Sequence, residues 1–432
     1  MVSWVHHIRT ESFLSKWQWI YNQLKSRLWL RASIFCALAI LSALLSVVIE
    51  RYLPEELSNI VGAQAVDSLL NILASSMLVV TTFSLSTMVA AYSAAASNTT
   101  PRATKLLLSD ETSLNALSTF LGSFLFSLVG IITLKANIYT DSGRLILFIV
   151  TILLIFFITL TLLHWIEHLS KLGRVGHTID TIEASTSTAF SSYAKRPTLG
   201  GNPRKSGRKP AKSHAIHDTR LGYIQYIDMA KLEDIAKKES LKIYIECIPG
   251  SFHDGVKPLF YLSKKMDEKV EKSIQNSFVI KEDRTFEQDP RYGMIVLAEI
   301  AIRALSPAVN DPGTAIEVIK TQMRLLSNYN QEIKKEAEKD TDIEYPNVYV
   351  PALSYEDLFR DSFRPIARDG ASMIEVGIAL QKAMIALAKL NPDTMQKPAT
   401  WISSYALKHA AKSLTIKEEK ETLDGLHKAI GK

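Results

Sequence analysis

Four long apolar runs dominate the first part of the chain. They extend over Leu30 to Ile49, Leu69 to Ala91, Leu114 to Leu134 and Leu145 to Trp165, and none has a charged residue near its middle. A bilayer core of about 30 Å is crossed by about 20 helical residues, because each residue advances about 1.5 Å. The pattern therefore predicts four transmembrane helices.

The second run contains far more hydroxyl groups than the others. Ser75, Thr82 and Ser86 lie seven and four residues apart, so they share one face of a helix. In an oligomer such a face can line a water-filled path. Small and hydroxylated residues also let membrane helices pack closely and bond to one another. The sequence leaves pore lining and helix packing open as alternatives.

The pattern changes after the membrane runs. Gly176 to Tyr193 has the spacing of an amphipathic helix, and Gly222 to Asp228 and Leu241 to Cys247 alternate as strands do. Met229 to Glu239 between them is typical of a short helix. Turn glycines after the second strand suggest a small barrel-sandwich-like β module, although no lysine suited to carrying a cofactor stands in a hairpin tip.

The remainder predicts a helical bundle. Its helices are expected at Arg291 to Leu305, Thr314 to about Asn328, Tyr355 to Leu390 with an interruption near Asp369, and Asp393 to Gly431. Asp311 followed by Pro312 is a helix-start signal, because the carboxylate can accept from free amides and proline suits the first turn.

These patterns define the expected fold class, a four-helix membrane domain followed by a cytoplasmic α+β domain with a β module and a helical bundle. The expected division is a cytoplasmic N-terminal segment (1–29), the transmembrane domain (30–168), an amphipathic helix with a basic linker (169–220), a β-rich module (221–263) and a helical domain (264–432).

Composition and charge limit the class of partner. The mean hydropathy of +0.07 agrees with a membrane protein, and the net charge of +6 gathers near membrane ends and in one linker rather than on a DNA-reading helix. We therefore expect no nucleic acid partner. Arg196 to Lys212 is basic and rich in Pro and Gly, which predicts a mobile linker able to approach anionic lipid headgroups. A solvated loop without a partner is the alternative.

Lysine and arginine residues also indicate the orientation. They are abundant before the first run and after the fourth, whereas the first connection is acidic, with Glu50, Glu55, Glu56 and Asp67. Because cytoplasmic segments retain basic residues, both termini are expected in the cytoplasm of a protein that spans the inner membrane several times. Cys36 lies in an apolar run, and Cys247 lies in a predicted strand more than 200 residues later. A disulfide framework is therefore not expected.

The end of the fourth run contains a short metal-binding pattern. His164, Glu167 and His168 spell H-x-x-E-H, which occurs in one class of zinc peptidase. A zinc site needs a third ligand, and none is evident in the sequence. Histidine, tryptophan and glutamate are also ordinary residues at a membrane interface. We therefore expect a structural role and no metal.

Residues 283–315 resemble a known family. They are similar to the R-T-x-x-Q-D-P and A-L-S-P-x-x-N-D-P-x-T-A motifs of a bacterial membrane family catalogued as a domain of unknown function, family 2254. The first motif corresponds to Arg284, Thr285, Gln288, Asp289 and Pro290, and the second to Ala304 to Pro307, Asn310 to Pro312, Thr314 and Ala315. Phe83-Ser84, Pro101-Arg102 and Gly222 to Leu259 extend the resemblance over most of the chain. Ser97 to Thr100 departs from the expected glutamine- and phenylalanine-containing sequence.

The motif residues form a polar set that has two interpretations. Arg284, Asp289, Arg303, Ser306, Asn310, Asp311 and Thr314 can form a ligand pocket or a buried network that fixes a turn between helices.

No enzyme signature accompanies these patterns, because the chain lacks a phosphate-binding loop, a dinucleotide motif and a nucleophile elbow. No cofactor and no catalytic activity are expected. The membrane runs also lack a central ionisable group, which argues against an ion-coupled pump. The leading hypothesis is a homo-oligomeric channel or passive conduit with a cytoplasmic regulatory domain. The alternative is a membrane scaffold or sensor that conducts nothing and binds a partner or ligand.

Overall fold

The computed structural model describes residues 63–108, 110–136, 141–205, 207, 209–339 and 343–430, together with positions 33, 34, 37, 40 and 41. The segment 1–29 and most of the first predicted transmembrane helix therefore lie outside the described residues. The chain divides into two compact units, Met1–Thr178 and Ile179–Lys432. We call them the membrane unit and the C-terminal unit.

The membrane unit is helical throughout its described part. Its helices are α1 (Ala63–Asn98), α2 (Pro101–Leu108), α3 (Glu111–Lys135) and α4 (Asp141–Lys171). Within the described residues, three helices are long and apolar enough to cross a membrane, namely those that contain Gln64–Asn98, Glu111–Lys135 and Gly143–Lys171. Three of the four predicted membrane helices are thereby present as long apolar helices, each longer than the run that predicted it.

Helix α3 is the central helix of this unit. Of its most apolar 18-residue stretch, 56% is buried, against 22% for α1 and 17% for α4. Phe120 and Phe126 of α3 are fully buried, and they pack in two clusters with Leu73 of α1, Leu147 of α4 and their neighbours. Helices α1 and α4 consequently keep one broad exposed face each.

The C-terminal unit combines helices with short strands. The helices are α5 (Val175–Lys195, which starts at the end of the membrane unit), α6 (Met229–Lys238), α7 (Glu268–Gln275), α8 (Pro290–Ala304), α9 (Pro312–Ala337), α10 (Tyr355–Asp369), α11 (Ile374–Leu390), α12 (Pro392–Ser413) and α13 (Lys417–Lys428). The strands are β1 (Gly201–Arg204), β2 (His214–Ile216), β3 (Gly222–Ile227), β4 (Ile243–Ile245), β5 (Phe252–His253), β6 (Phe260–Leu262), β7 (Phe278–Lys281) and β8 (Tyr345–Pro351).

The strands form two sheets. One has the order β1-β8-β4-β6-β2 and the other the order β5-β3-β7. Strand β8 pairs in parallel with both β1 and β4, whereas the remaining pairs are antiparallel. The strands predicted at Gly222 to Asp228 and Leu241 to Cys247 are confirmed as β3 and β4. The sheets nevertheless draw on residues 201–351, so the β structure is not confined to a module of residues 221–263.

The basic segment Arg196 to Lys212 is more ordered than its composition predicts. Gly201 to Arg204 forms strand β1, so the prediction of a mobile linker is wrong for this part. The reason is a distant partner, because β8 supplies the hydrogen bonds and Arg204 pairs with Glu246 at 2.9 Å. Arg196 also pairs with Glu344 at 3.2 Å. Two of its basic groups are therefore engaged by acidic side chains.

The predicted bundle is present in helices α8 to α13. Asp311 caps α9 by accepting from the amide of Thr314, as the sequence predicts. The expected interruption of the long helix falls at Gly370, between α10 and α11. Helix α5 crosses α8 closely, since a Cβ at Gly293 would overlap with the side chain of Thr186. A pair of aromatic rings, Phe190 and Tyr329 at 4.7 Å, joins α5 to α9.

Candidate functional site

The exposed face of α1 is unlike that of α4. Between residues 71 and 86 of α1, half of the exposed residues are polar. They are Asn71, Ser75, Ser76, Thr82 and Ser86, alongside the apolar Ile72, Leu78, Val79, Phe83 and Leu85. Between residues 149 and 163 of α4, Thr159 is the one polar residue among the exposed residues. The face of α4 therefore suits lipid, whereas the face of α1 suits water or another protein surface.

The structure brings Ser75, Thr82 and Ser86 together on this exposed face, as the helical spacing predicts. Each hydroxyl donates to a carbonyl of its own helix: Ser75 to Asn71 at 2.9 Å, Thr82 to Val79 at 2.9 Å and Ser86 to Thr82 at 3.0 Å. A hydroxyl that donates in this way keeps its oxygen lone pairs as acceptors. The α1 face thus presents acceptor oxygens between apolar side chains.

The opposite face of α1 is tied to α4. The indole Nε1 of Trp165 donates to Ser84 Oγ at 3.0 Å, and both side chains are buried. A buried hydrogen bond between two membrane helices fixes their relative rotation, because leaving either group unpaired in an apolar surrounding is costly. This bond therefore holds Ser75, Thr82 and Ser86 away from α4.

The H-x-x-E-H residues do not converge on one point. His168 Nε2 lies 2.8 Å from Asp110 Oδ2, just before α3, whereas Glu167 pairs with Lys171 at 2.8 Å. His164 lines a cavity between α3 and α4. In the part of the chain that the structure describes, no group of three metal-ligating side chains is assembled. Glu167 and His168 therefore have different partners, Lys171 and Asp110.

Asp110 is the polar anchor at this end of the membrane unit. It caps α3 by accepting from the amide of Ser113 at 2.8 Å, and it faces His168. Burial raises the pKa of the Asp110 carboxyl, but the bonds from His168 and Ser113 outweigh this effect and lower that pKa to about 2. The carboxylate therefore stays ionised at neutral pH.

In the C-terminal unit, Arg284 and Asp289 form a buried ion pair. The guanidinium Nε and Nη2 donate to the two oxygens of Asp289 at 2.7 and 2.9 Å, and the two side chains are 15% and 3% exposed. Asp289 also caps α8 by accepting from the amide of Tyr292 at 3.1 Å. Burial raises the pKa of the Asp289 carboxyl, and Arg284 opposes that rise.

Aromatic rings and backbone surround this pair. The guanidinium carbon of Arg284 lies 5.9 Å from the ring centre of Tyr223 and 5.2 Å from that of Tyr292. Gly250 has a φ of +84°, and a Cβ there would overlap with the carboxylate of Asp289. The turn at Gly250 thus closes over the pair. The sequence identifies the turn, but not its contact with a residue almost forty positions further along.

The other motif residues lie at the far end of α8. Ser306 donates to the carbonyl of Arg303 at 2.7 Å, and Asp311 accepts from the hydroxyl of Thr314 at 2.6 Å. Asn310 adopts a φ of +51° between them. The 15-residue helix α8 is about 22 Å long. The polar set is therefore divided between the two ends of α8, and one pocket does not contain all of it.

A second charged cluster was not singled out from the sequence. Arg291 donates to Asp361 at 2.8 Å and to Asp357 at 3.1 Å, which ties α8 to α10. The sequence signal that could have identified this cluster is the pair of acidic residues Asp357 and Asp361, which lie four positions apart on one helix. Tyr193 of α5 lies close to this region, and burial raises the pKa of its phenol. Asp357 is 44% exposed and lines a pocket of about 360 Å³ together with Arg360 and Trp401, so the cluster lies at the edge of that pocket.

Comparisons with known proteins agree on the class of protein. The family model described as "Predicted membrane protein (DUF2254)" matches residues 25–386. Uncharacterised proteins of Mycobacterium tuberculosis and Mycobacterium bovis are each 57% identical to this chain over 37 residues. That segment is 9% of this chain and 7% of each relative, so the chain matches only a small part of their length. No solved structure matches.

Proposed function

The chain belongs to this family of predicted membrane proteins (DUF2254), and from that premise we propose that it forms a homo-oligomeric conduit through the bacterial inner membrane, with the exposed face of α1 lining the path. The observation that carries the proposal is the contrast between α1 and α4. Hydroxyl groups in direct contact with lipid tails gain nothing, whereas around a shared axis they can contact water.

The hydrogen bonds of the face suggest which solutes it favours. Because Ser75, Thr82 and Ser86 already donate to backbone carbonyls, their outward-facing atoms are acceptor oxygens. Acceptor oxygens replace the hydration shell of a cation but not that of an anion. The conduit is therefore proposed to favour small cations and water over anions. No step requires an ionisable group in the membrane.

The length of α1 fits this role. Its 36 residues extend over about 54 Å, well beyond a bilayer core of about 30 Å. A path formed by copies of α1 would continue past the hydrocarbon region toward the cytoplasmic side. The C-terminal unit is proposed to be the cytoplasmic, regulatory part of the protein.

The test is ion flux through the full chain reconstituted in liposomes. We expect potassium flux to exceed chloride flux in the unmodified protein, and Thr82→Leu with Ser86→Leu to reduce potassium flux at least tenfold, because leucine removes the acceptor oxygens and narrows the path. The matched control is Thr159→Leu on α4. Thr159 donates to Ile155 at 2.9 Å in the same way, but it lies among apolar side chains.

Three outcomes would contradict the proposal. Absence of flux for both ions over a wide range of voltages would favour a scaffold or sensor that conducts nothing. Loss of the oligomer in the leucine variant, measured by cross-linking in the same liposomes, would show that the hydroxyls serve helix packing. Equal effects of the α1 and α4 substitutions on flux would also refute the assignment of the path to α1.

A further inference from the structure

Two neighbouring helices of the C-terminal unit present a basic surface. Helices α10 and α12 pack against each other, and six of their exposed residues are basic, whereas two, Glu356 and Asp393, are acidic. Both acidic residues lie in the first turn of their helix, where Glu356 pairs with Lys397 at 3.8 Å. Beyond these turns, the exposed charges of both helices are basic. We call this part the basic face, and it consists of Arg360, Arg364, Arg368, Trp401, Lys408 and Lys412.

The members of the basic face form two adjoining rows. The three arginines lie four residues apart on α10, and the three members on α12 lie seven and four residues apart, so each row occupies one side of its helix. The guanidinium carbon of Arg360 lies 5.0 Å from the ring centre of Trp401 and joins the two rows. All six residues are exposed. The rows therefore form one accessible surface.

Several charges of the basic face have no partner inside the unit. Arg364, Lys408 and Lys412 form no ion pair with any residue that the structure describes. Arg368 contacts its neighbour Asp369 at 2.6 Å, and the other two aspartates of α10 are bound by an arginine of α8. The excess positive charge is thus directed outward, and the basic face is complementary to an anionic surface.

Trp401 adds an apolar group to the basic face. Its side chain is 39% exposed although it is held in a fixed position, with Arg360 on the ring and the ring of Tyr405 nearly parallel to it at 5.4 Å. Tryptophan among arginine and lysine is the combination that lies at the headgroup level of a bilayer, because the ring is amphipathic and the long basic side chains reach the phosphates. An acidic peptide would require the charges alone.

The chain keeps the basic face close to a bilayer. Helix α4, which is long and apolar enough to cross a membrane, ends at Lys171, and the C-terminal unit begins at Ile179. A compact unit of about 250 residues has a radius of gyration of about 18 Å, so its whole surface stays within several tens of ångströms of that helix end. Lipid headgroups are therefore present at high effective concentration, whereas a free peptide has to be recruited from solution.

We propose that the basic face docks on the anionic lipid surface of the membrane that holds the chain. The arginine and lysine side chains contact lipid phosphates, and Trp401 lies at the level of the headgroups. Each basic residue near such a surface favours docking about fivefold. Docking requires no path for solutes, so the inference is independent of the conduit and stands if no ion flux is found.

The test places an environment-sensitive fluorophore beside the basic face. Ala411 is exposed and adjoins Lys412, and in the full chain with Cys36→Ser and Ala411→Cys the buried Cys247 does not react with the maleimide dye. The labelled chain is reconstituted in nanodiscs that contain doxyl-labelled phosphatidylcholine as a quencher. We expect quenching to rise as phosphatidylglycerol increases from zero to about 30% of the lipid, and to be lost in about 1 M salt, which screens the charges.

A pair of charge variants tests the location of the contact. Arg364→Gln with Lys408→Gln removes two charges that have no internal partner, and it should lower the ratio of docked to undocked chains about 25-fold. The matched control, Lys238→Gln with Lys320→Gln, removes the same charge from exposed positions on α6 and α9 and should leave docking unchanged. Equal weakening by the two variants would overturn the assignment to the basic face.

Trp401→Ala tests the apolar contact, because it retains every charge. It should weaken docking in the anionic nanodiscs, and unchanged docking would refute the placement of Trp401 at the headgroups. Protection of Cys247 from maleimide confirms that each variant is folded. Quenching that does not depend on phosphatidylglycerol would overturn the proposal. A fluorophore that responds to added polyglutamate but not to phosphatidylglycerol would do so too, and would identify an acidic protein segment as the partner.

Discussion

The ion pair between Arg284 and Asp289 should be a main determinant of the stability of the C-terminal unit. The substitution Arg284→Ala leaves the carboxylate of Asp289 at 3% exposure without its guanidinium partner. Removing one member of a buried pair typically costs about 3–5 kcal/mol, because the remaining charge is uncompensated. For a unit of this size, each kcal/mol lowers the melting temperature by about 2–4 °C, so a decrease of roughly 6–20 °C is expected.

The loss should depend on pH in a defined direction. Burial already raises the pKa of Asp289, and removing Arg284 raises it further, because the opposing charge is gone. Above that pKa the folded variant contains an ionised, unpaired carboxylate. As the pH falls through it, the carboxyl takes up a proton and no longer needs a partner. The difference in melting temperature should therefore be largest near pH 8 and smaller near pH 5.

Cys247 offers a reporter within the C-terminal unit. It is 8% exposed in the folded state, so a maleimide should label it only after the unit unfolds. The full chain with Cys36→Ser, in detergent, receives heat pulses at each test pH and is then labelled at one fixed pH. The labelled fraction plotted against temperature gives the unfolding curve of the C-terminal unit. The protein stays intact, and the membrane unit does not contribute to the signal.

Arg368→Ala is the matched control. Arg368 also contacts both oxygens of an aspartate, Asp369, at 2.6 and 2.9 Å, but its side chain is 56% exposed. An exposed pair contributes about 0–1 kcal/mol. The reasoning fails if the two alanine variants lose similar stability, or if the loss in Arg284→Ala is independent of pH. Combining Arg284→Met with Asp289→Asn should restore part of the stability, since no buried charge remains.

Three further predictions concern single residues. Gly250→Ala should lower the stability of the C-terminal unit by several kcal/mol, because the added Cβ overlaps with the carboxylate of Asp289. Gly207→Ala, at a similar φ of +74°, meets open space and should cost about 1 kcal/mol. The Cys247 labelling assay compares the two variants. Asp311→Ala should cost about 1 kcal/mol through loss of the helix cap, whereas Asp311→Asn should retain the cap. Bonds from the Thr314 hydroxyl and amide lower the pKa of Asp311. The stability difference between the alanine variant and the unmodified protein should therefore be present above about pH 4 and disappear as the pH falls through that lowered pKa. Trp165→Phe should leave Ser84 unpaired and destabilise the membrane unit by about 1–3 kcal/mol, which is measured as a lower melting temperature by thermal aggregation in detergent. The double variant Trp165→Phe with Ser84→Ala should cost less than the sum of the two single changes.

Local signals in the sequence predicted local structure well. Asp311 and Pro312 identify the start of α9 correctly because a cap and a proline act within one turn. The interruption of the long helix near Asp369 could be predicted for a similar reason, because Gly370 directly follows Asp369 and ends α10 locally. Strand β1 was missed, since Gly201 to Arg204 has neither alternation nor β-branched residues and depends on a partner about 145 positions away. No local pattern encodes such a pairing.

The candidate sites follow the same division. Helical spacing predicted that Ser75, Thr82 and Ser86 share a face, and they do. The motif residues from Arg284 to Thr314 are close in sequence, but the intervening helix α8 separates them into two groups, because a helix carries its two ends apart.

The position of β8 in its sheet determines when the C-terminal unit can be completed during synthesis. Strands β1 and β4 leave the ribosome long before β8, and β8 inserts between them. Both strands therefore wait with unpaired edges while α8 and α9 are made. A chain interrupted before residue 345 would expose those edges permanently and should be a target for chaperones or proteases. For this protein, the last step in forming the sheet comes after all of the described membrane helices have been synthesised.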